Sequence, residues 1–324
     1  MQPRPGAFRA ALLTGWIALS AGGVLYAHQK NIPPATAVPV IAAFLAEYTF
    51  YLVPGFEAAR HRLAERLQRP WLAVLIAATA VLPYLIFSVP TGSFHGAAFL
   101  LLCAIIAAVS FWYVALAPSI AADALFLLLI AGTYLSRPFD HIYVLPAVKG
   151  ISILGHLMLI HTGALAALLV RGEPLSFGFI PNQKESIIGM RYFFYFLPVG
   201  FPLAMWLGAA HLTFSAGVIL WKALAYFFGA LWVVALSEEF FFRGMLQHWL
   251  EQWTSRPWLA VGAASVIYGL SHLWFRAFPN WKMAIVDSFL GCFCGLAYRK
   301  AGSIRASMVT HALVVTVWRT LFVS

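Results

Sequence analysis

The chain has 324 residues, of which 62% are hydrophobic and 10% are charged, and its mean hydropathy is +0.84. Ordinary soluble domains are about 45–50% apolar, so this composition excludes an ordinary soluble domain. The formal net charge is +10, but the basic residues are spread over short polar stretches and are not gathered on one face. We therefore expect no nucleic-acid partner, and we assign the basic residues to topology and to contacts with membrane lipids.

Apolar stretches that are long enough to cross a bilayer recur along the chain, and they predict an all-α, polytopic membrane helical bundle of about 10–11 transmembrane helices. The first stretch follows Arg4 and Arg9 and is followed by further spans, which favours a membrane helix over a cleaved signal peptide. The two stretches beside Pro118 can also form one broken helix, which gives the lower count. The predicted spans are 8–27, 37–54, 71–88, 97–117, 119–135, 152–170, 192–209, 218–240, 258–274, 283–299 and 304–322.

The distribution of Lys and Arg predicts the orientation. If the N-terminus is cytoplasmic, 14 of the 21 basic residues fall at cytoplasmic ends of the predicted spans, as the positive-inside rule requires. We accordingly expect an integral protein of a bacterial-type plasma (inner) membrane with a cytoplasmic N-terminus.

The longest polar connection, residues 171–191, is predicted to be a loop that separates two parts of the chain. Residues 1–170 form a predicted N-terminal accessory transmembrane bundle. Residues 192–324 form the second part, which contains the motifs described below. Within the spans of the first part we assign helix-contact roles to four polar residues: Glu47, Asp123, His156 and His161.

The second part carries a group of charges in the otherwise apolar run Leu236–Gly244. An ionisable side chain at the bilayer centre costs about 2.5–3.5 kcal/mol on insertion scales, so Glu238, Glu239 and Arg243 together require a reason. If the segment is helical, Glu239 and Arg243 can form an ion pair, whereas Glu238 is rotated away by about 100°. The pattern favours a structural clamp beside a general base. The alternative is a helix end at the membrane surface, where charges cost little.

Three further features lie in later predicted spans. Tyr268 and His272 are four residues apart, so the phenol ring can lie over the imidazole and orient it. Gly291 and Gly295 form a small-xxx-small pair, which lets a neighbouring helix backbone come close. His311 lies seven residues into the last predicted span.

These residue types can together hydrolyse a peptide bond. A carboxylate shielded from bulk water can act as a general base on a water molecule, one histidine can hold that water, and a second can donate to the oxyanion. The zinc-protease motif of two histidines flanking a glutamate is absent from the sequence, and Arg243 competes for one of the adjacent glutamates. We therefore predict no metal and no cofactor. Ser237 and Ser271 lack the strained glycine turn of a serine nucleophile.

In order along the chain, the motifs are Glu238-Glu239-xxx-Arg243, Tyr268-xxx-His272, and Gly302-Ser303 followed by His311. This order resembles the CAAX protease and bacteriocin-processing (CPBP/Abi) family of glutamic-type intramembrane proteases. The resemblance covers roughly residues 190–320.

The resemblance implies a role for each matching residue. Glu238 is the glutamate that activates water, with help from His272. Glu239 and Arg243 complete and brace the first motif. His311 belongs to an oxyanion-stabilising pair.

The chain departs from the family pattern at two positions. The family carries Asn or Asp four residues after the last motif histidine, and this sequence has Val315, which has no side-chain donor. We expect the oxyanion site to be weaker, to be completed by another group such as Thr316 or Thr310, or to be lost. Tyr268 stands where phenylalanine is usual, and it keeps the ring.

The resemblance implies a CAAX prenyl endopeptidase-like hydrolase whose protease core is residues 192–324. Its expected substrate is a lipidated or membrane-anchored protein tail or a leader peptide. One alternative is a non-catalytic membrane scaffold or immunity protein of the same family, and Val315 supports it. A transporter using Asp123 and Asp287 is a further alternative, but the two related halves with broken helices that this requires are not found. Asp287 has no role in the protease hypothesis, and its expected partner is a basic residue on another helix.

Overall fold

The computed structural model describes residues 6–213 and 220–323, and within them it is almost entirely helical. Arg4 and the first two residues of the predicted span 218–240 lie outside the described residues. Two short strands, β1 (His211–Leu212) and β2 (Phe322–Val323), pair antiparallel. In the described residues we distinguish thirteen helices: α1 (Ala7–Gln29), α2 (Pro34–Gly55), α3 (Glu57–Arg66), α4 (Arg69–Ser88), α5 (Gly96–Ala115), α6 (Ile120–Leu135), α7 (Phe139–Ile142), α8 (Ile153–Arg171), α9 (Gln183–Trp206), α10 (Trp221–Thr254), α11 (Pro257–Ser271), α12 (Trp281–Ala301) and α13 (Ile304–Leu321).

The predicted all-α fold of an integral membrane protein is confirmed. The number of helices that qualify as membrane-spanning is smaller than the predicted 10–11. Seven helices in the described part of the chain are long and apolar enough to cross a membrane, namely α1, α2, α4, α5, α8, α9 and α10. The other four predicted spans are also helices. However, α6 and α11 have only 16 and 15 residues, and α12 and α13 carry charged residues near their ends.

Two helix boundaries differ from the predicted ones by nine residues or more. Helix α9 begins at Gln183, nine residues before the predicted span, because Asn182 and Glu185 form a reciprocal capping box. The polar connection is therefore shorter than residues 171–191. Helix α10 continues to Thr254, well beyond the predicted end at residue 240.

Helix α10 is widened on both sides of the glutamate pair. Residues Ala230–Ala235 and Phe240–Gln247 form π-helical turns, and Leu236–Glu239 between them is α-helical. Such wide turns rotate the side chains that follow them and are common at functional sites. Glu239 ends the α-helical turn, and Arg243 lies within the second wide segment.

The chain divides into two compact units, Met1–Pro174 and Leu175–Ser324. The polar residues predicted within the spans of the first unit make contacts between and within helices. Glu47 of α2 and His161 of α8 are fully buried and lie 2.7 Å apart. Asp123 of α6 receives two hydrogen bonds from Arg171 and one from Tyr113.

The second unit is built on close contacts between α11 and α12, as the small residues predict. A Cβ atom added at Gly291 would lie 2.9 Å from the Ser265 Cα atom. One added at Gly269 would lie 2.2 Å from the Ala284 carbonyl oxygen. Two helix backbones can approach this closely only where side chains are missing, so these glycines fix the distance between the helices.

Candidate active site

Glu239 lies at the centre of the buried polar group. Its side chain is completely buried, and its Oε1 atom accepts a hydrogen bond from Arg243 Nη1 at 3.0 Å. The same oxygen accepts a second hydrogen bond from His311 Nδ1 at 2.8 Å. The ion pair predicted within the helix is therefore present, and Glu239 also links α10 to α13.

Arg243 connects three helices through one guanidinium group. It is 1% exposed, and its Nη2 atom donates to the Gly291 carbonyl oxygen on α12 at 3.0 Å. Its guanidinium carbon lies 4.7 Å from the centre of the Tyr268 ring on α11, within the range of a cation–π interaction. A charge this deeply buried is tolerated because it is paired and hydrogen-bonded.

Glu238 is the more accessible of the two glutamates. Its side chain is 23% exposed, whereas that of Glu239 is completely buried. Its Oε2 atom lies 3.8 Å from His311 Nε2, beyond hydrogen-bonding distance, and it has no hydrogen-bond partner among the described residues. The Oε2 atom of Glu239 is likewise buried without a partner among the described residues, so it is the 23% exposure of its side chain that makes Glu238 the carboxylate a water molecule can reach.

His272 follows the last residue of α11, at a single turn of 3-10 helix. Its Nδ1 atom lies 3.0 Å from the Tyr268 carbonyl oxygen, which can only accept, so Nδ1 carries the proton. The Nε2 atom then keeps a free lone pair. The Tyr268 ring contacts the imidazole with 4.9 Å between ring centres, but the rings meet edge-on and not face to face as predicted.

Asp287 of α12 belongs to the same cluster, although the sequence did not reveal its role. Its Oδ2 atom lies 3.8 Å from His272 Nδ1 and is buried without a hydrogen-bond partner among the described residues. The basic residue that lies beside it is therefore a histidine, at a distance too long for a hydrogen bond. A carboxylate within an apolar helix was the available signal, but no local spacing connects residues 272 and 287.

His311 of α13 lies between the two glutamates. Its Nδ1 atom donates to Glu239, and its Nε2 atom faces Glu238 Oε2 at 3.8 Å and the Tyr268 hydroxyl at 3.5 Å. The imidazole is 2% exposed. All five predicted catalytic residues are therefore brought into one connected group.

Val315 lies one helical turn after His311 and is half-buried. The threonines considered as substitutes for the missing donor are both engaged. Thr310 donates to the Gly189 carbonyl oxygen at 2.9 Å, and Thr316 donates to the Ala312 carbonyl oxygen at 2.7 Å. Since a hydroxyl has one proton to donate, neither threonine has a donor left for a substrate.

The serines beside the motifs are similarly engaged. Ser237 donates to backbone carbonyls of the preceding turn, and Ser271 donates to the Tyr268 carbonyl oxygen at 2.7 Å. Within residues 6–213 and 220–323, no three His, Cys, Asp or Glu side chains stand where they could share a metal ion.

An apolar cavity of about 310 Å³ in the second unit lies away from this cluster. Val309 and Leu313 line it, and both point to the side of α13 opposite His311, since two residues correspond to about 200° of helix rotation. None of the five predicted catalytic residues is among its lining residues. We therefore base the chemistry on the polar cluster and not on this cavity.

The second unit thus defines a class: an integral membrane protein of helices with a buried glutamate–histidine–arginine site. Residues 219–317 match the family model described as type II CAAX prenyl endopeptidase Rce1-like. This stretch is a domain of that family, within CPBP/Abi, and the family consists of intramembrane proteases. The match includes every candidate site residue but not α9, which the sequence resemblance had included. No curated protein and no solved structure matches the chain.

Proposed function

We propose that the protein is an endopeptidase that hydrolyses a peptide bond in the membrane with water activated by Glu238. The observation that carries this proposal is the unequal environment of two adjacent glutamates. The Glu239 side chain is completely buried and its Oε1 atom accepts hydrogen bonds from Arg243 and His311, whereas the Glu238 side chain is 23% exposed and lies 3.8 Å from His311 Nε2, beyond hydrogen-bonding distance. The first is suited to holding the site together and the second to accepting a proton.

In the proposed reaction, a water molecule lies between Glu238 and His272 Nε2, which has a lone pair to accept a hydrogen bond from it. Glu238 removes a proton from this water as the water oxygen bonds to the carbonyl carbon, and the carbonyl oxygen becomes an oxyanion. Glu238 then delivers the proton to the amide nitrogen, the carbon–nitrogen bond breaks, and a carboxylic acid and an amine leave. No covalent enzyme intermediate is formed.

The remaining residues position this chemistry. Glu239 and Arg243 hold α10 against α11, α12 and α13, so that Glu238 is presented from a rigid element. His311 Nε2 faces Glu238 at 3.8 Å; because Nδ1 donates to Glu239, Nε2 donates to the oxyanion when both ring nitrogens carry a proton. Asp287 stands beside His272 Nδ1 and favours the orientation in which Nε2 faces the water.

We propose a lipidated or membrane-anchored protein tail, or a leader peptide, as the substrate. The support is the prenyl endopeptidase family of residues 219–317 together with the membrane helices of the chain. Residues 1–170 would serve as an accessory bundle, and residues 192–324 would form the protease core. A cytoplasmic N-terminus in a bacterial-type plasma membrane is supported by the excess of basic residues at the ends of the spans predicted from the sequence, although Arg243, counted there, lies inside α10.

One observation favours a second candidate function, a non-catalytic membrane scaffold or immunity protein of the same family. Val315 has no side-chain donor beside His311, and the hydroxyls of Thr310 and Thr316 are occupied by backbone carbonyls. A scaffold would require only the buried contacts that join the helices, such as those of Glu239 with Arg243 and His311. In that case, replacing Glu238 would change no cleavage product.

The test compares the peptides of the membrane fraction in cells that express the wild type, Glu238→Gln or Glu57→Gln. Glu57 is an exposed glutamate of α3 and serves as the matched control. We expect cleavage products that vanish only with Glu238→Gln and persist when a chelator is added to the membranes. Identical peptide sets from equally abundant proteins would contradict the proposal and support the scaffold.

A further inference from the structure

We propose that the Tyr268 hydroxyl is the second donor of the oxyanion site and supplies the hydrogen bond that Val315 cannot. This inference rests on the proposed endopeptidase function. It assigns Tyr268 a chemical role beyond the ring contact with His272, namely to bind the carbonyl oxygen of the scissile peptide as that oxygen becomes negatively charged.

The position of the hydroxyl is the first argument. The Tyr268 Oη atom lies 3.5 Å from His311 Nε2, the ring nitrogen that faces Glu238 Oε2 at 3.8 Å. Tyr268 therefore places an O–H group beside the same atom that the proposed reaction uses. A contact of 3.5 Å is at the long limit of a hydrogen bond, so the hydroxyl can turn towards a substrate oxygen without breaking a strong bond.

The surroundings of the ring are the second argument. Tyr268 is 1% exposed and is enclosed by Phe242, His272 and the Arg243 guanidinium, at ring distances of 5.0, 4.9 and 4.7 Å. The ring is thus fixed before a substrate binds, which is the condition under which a donor lowers a transition-state barrier most. The cation over the ring draws electron density from the phenol and so makes its O–H a better donor.

The lack of other free donors is the third argument. On α13 around His311, the hydroxyls of Thr310 and Thr316 donate to backbone carbonyls, and Ser307, one turn before His311, donates to the Ile304 carbonyl oxygen. The Tyr268 hydroxyl makes its contact with His311 itself. It is therefore the side chain suited to complete a pair of donors.

The experiment measures kcat and KM for a peptide that the purified wild-type protein cleaves in proteoliposomes. The variants are Tyr268→Phe, Val315→Asn and the double variant. Tyr298→Phe is the matched control, because its hydroxyl makes an equally long contact of 3.5 Å with a histidine, His248, away from the glutamates.

We expect Tyr268→Phe to lower kcat by about 10²–10³, the effect of removing one oxyanion donor, with little change in KM. Adding Val315→Asn to Tyr268→Phe should restore at least part of kcat, because the amide supplies the missing N–H one turn from His311. Tyr298→Phe should behave as the wild type.

Two results would overturn this inference while the proposed function stands. One is a Tyr268→Phe variant as fast as the wild type, and the other is a loss that Val315→Asn does not repair. Cleavage by the wild type that Glu238→Gln leaves unchanged would instead overturn the proposed function, and a wild type that cleaves no membrane peptide would do the same.

Discussion

Glu239 of α10 and His311 of α13 are joined by a hydrogen bond of 2.8 Å between the Oε1 and Nδ1 atoms. Both side chains are at most 2% exposed, and Arg243 donates to the same glutamate oxygen. The buried Glu239 carboxylate therefore holds His311 in the position in which its imidazole faces Glu238. Of the two adjacent glutamates, Glu239 therefore stabilises the helix packing, and Glu238 is the one proposed to take part in the chemistry.

Replacing Glu239 should impair stability. The change Glu239→Gln removes the negative charge that compensates Arg243, and an uncompensated buried charge costs about 3–5 kcal/mol of unfolding free energy. Thermal unfolding of the purified protein in detergent should show a large drop in Tm. Glu238→Gln, one residue earlier, should unfold near the wild-type temperature. Equal Tm values for the two variants would contradict the division of roles.

Arginine should be required at position 243. In Arg243→Lys, one ammonium group cannot reach both the Glu239 carboxylate and the Gly291 carbonyl oxygen as the guanidinium does. A lost buried hydrogen bond costs about 1–3 kcal/mol, so Tm should fall. Arg256→Lys, at an exposed position before α11, is the control and should leave Tm unchanged. A stable Arg243→Lys variant would show that the guanidinium geometry is not needed.

Asp287 should affect turnover more than substrate binding. The change Asp287→Asn removes the carboxylate beside His272 Nδ1 and should lower kcat by about 10- to 100-fold, the range observed when a metal-bound histidine loses the carboxylate that orients it. KM should change little, because Asp287 is buried and would not touch the substrate. Asp140→Asn, in the first unit, is the control. An unchanged kcat would remove Asp287 from the site.

The close approach of α11 and α12 should make Gly291 intolerant of a methyl group. In Gly291→Ala the new Cβ atom would meet the Ser265 Cα atom at 2.9 Å and the Ser265 carbonyl oxygen at 3.1 Å. Overpacking of this kind costs about 1–3 kcal/mol. In the control Gly262→Ala, on the same pair of helices, a Cβ atom would meet nothing within 4 Å. Thermal unfolding should therefore separate the two alanine variants.

The parts of the site that could be predicted from the sequence are those set by local spacing. The Glu239–Arg243 pair and the Tyr268–His272 contact both join residues four apart on a helix, and both are present. The contact between Glu239 and His311 joins residues 72 positions apart, and no helical period connects them. The family resemblance placed Glu239 and His311 in one site, but it did not predict the contact between Tyr268 and His311.

The fold differs from the sequence predictions where hydropathy alone was the guide. Helix α10 runs past the charged residues to Thr254, because Glu239 and Arg243 neutralise each other and do not end the helix. Helix α9 starts early because its capping residues, Asn182 and Glu185, lie in a stretch that was predicted to be a polar loop. The proximity of Asp287 to His272 depends on how α12 packs, which hydropathy does not predict.

The most direct test of the account is cleavage of a membrane peptide by purified protein in proteoliposomes, comparing the wild type with Glu238→Gln. Both proteins would first be shown to have the same Tm, and each assay would be repeated with a chelator. We expect the wild type to cleave with and without the chelator and Glu238→Gln to be inactive in both. Cleavage by Glu238→Gln at the wild-type rate would contradict the central claim that this glutamate activates the water.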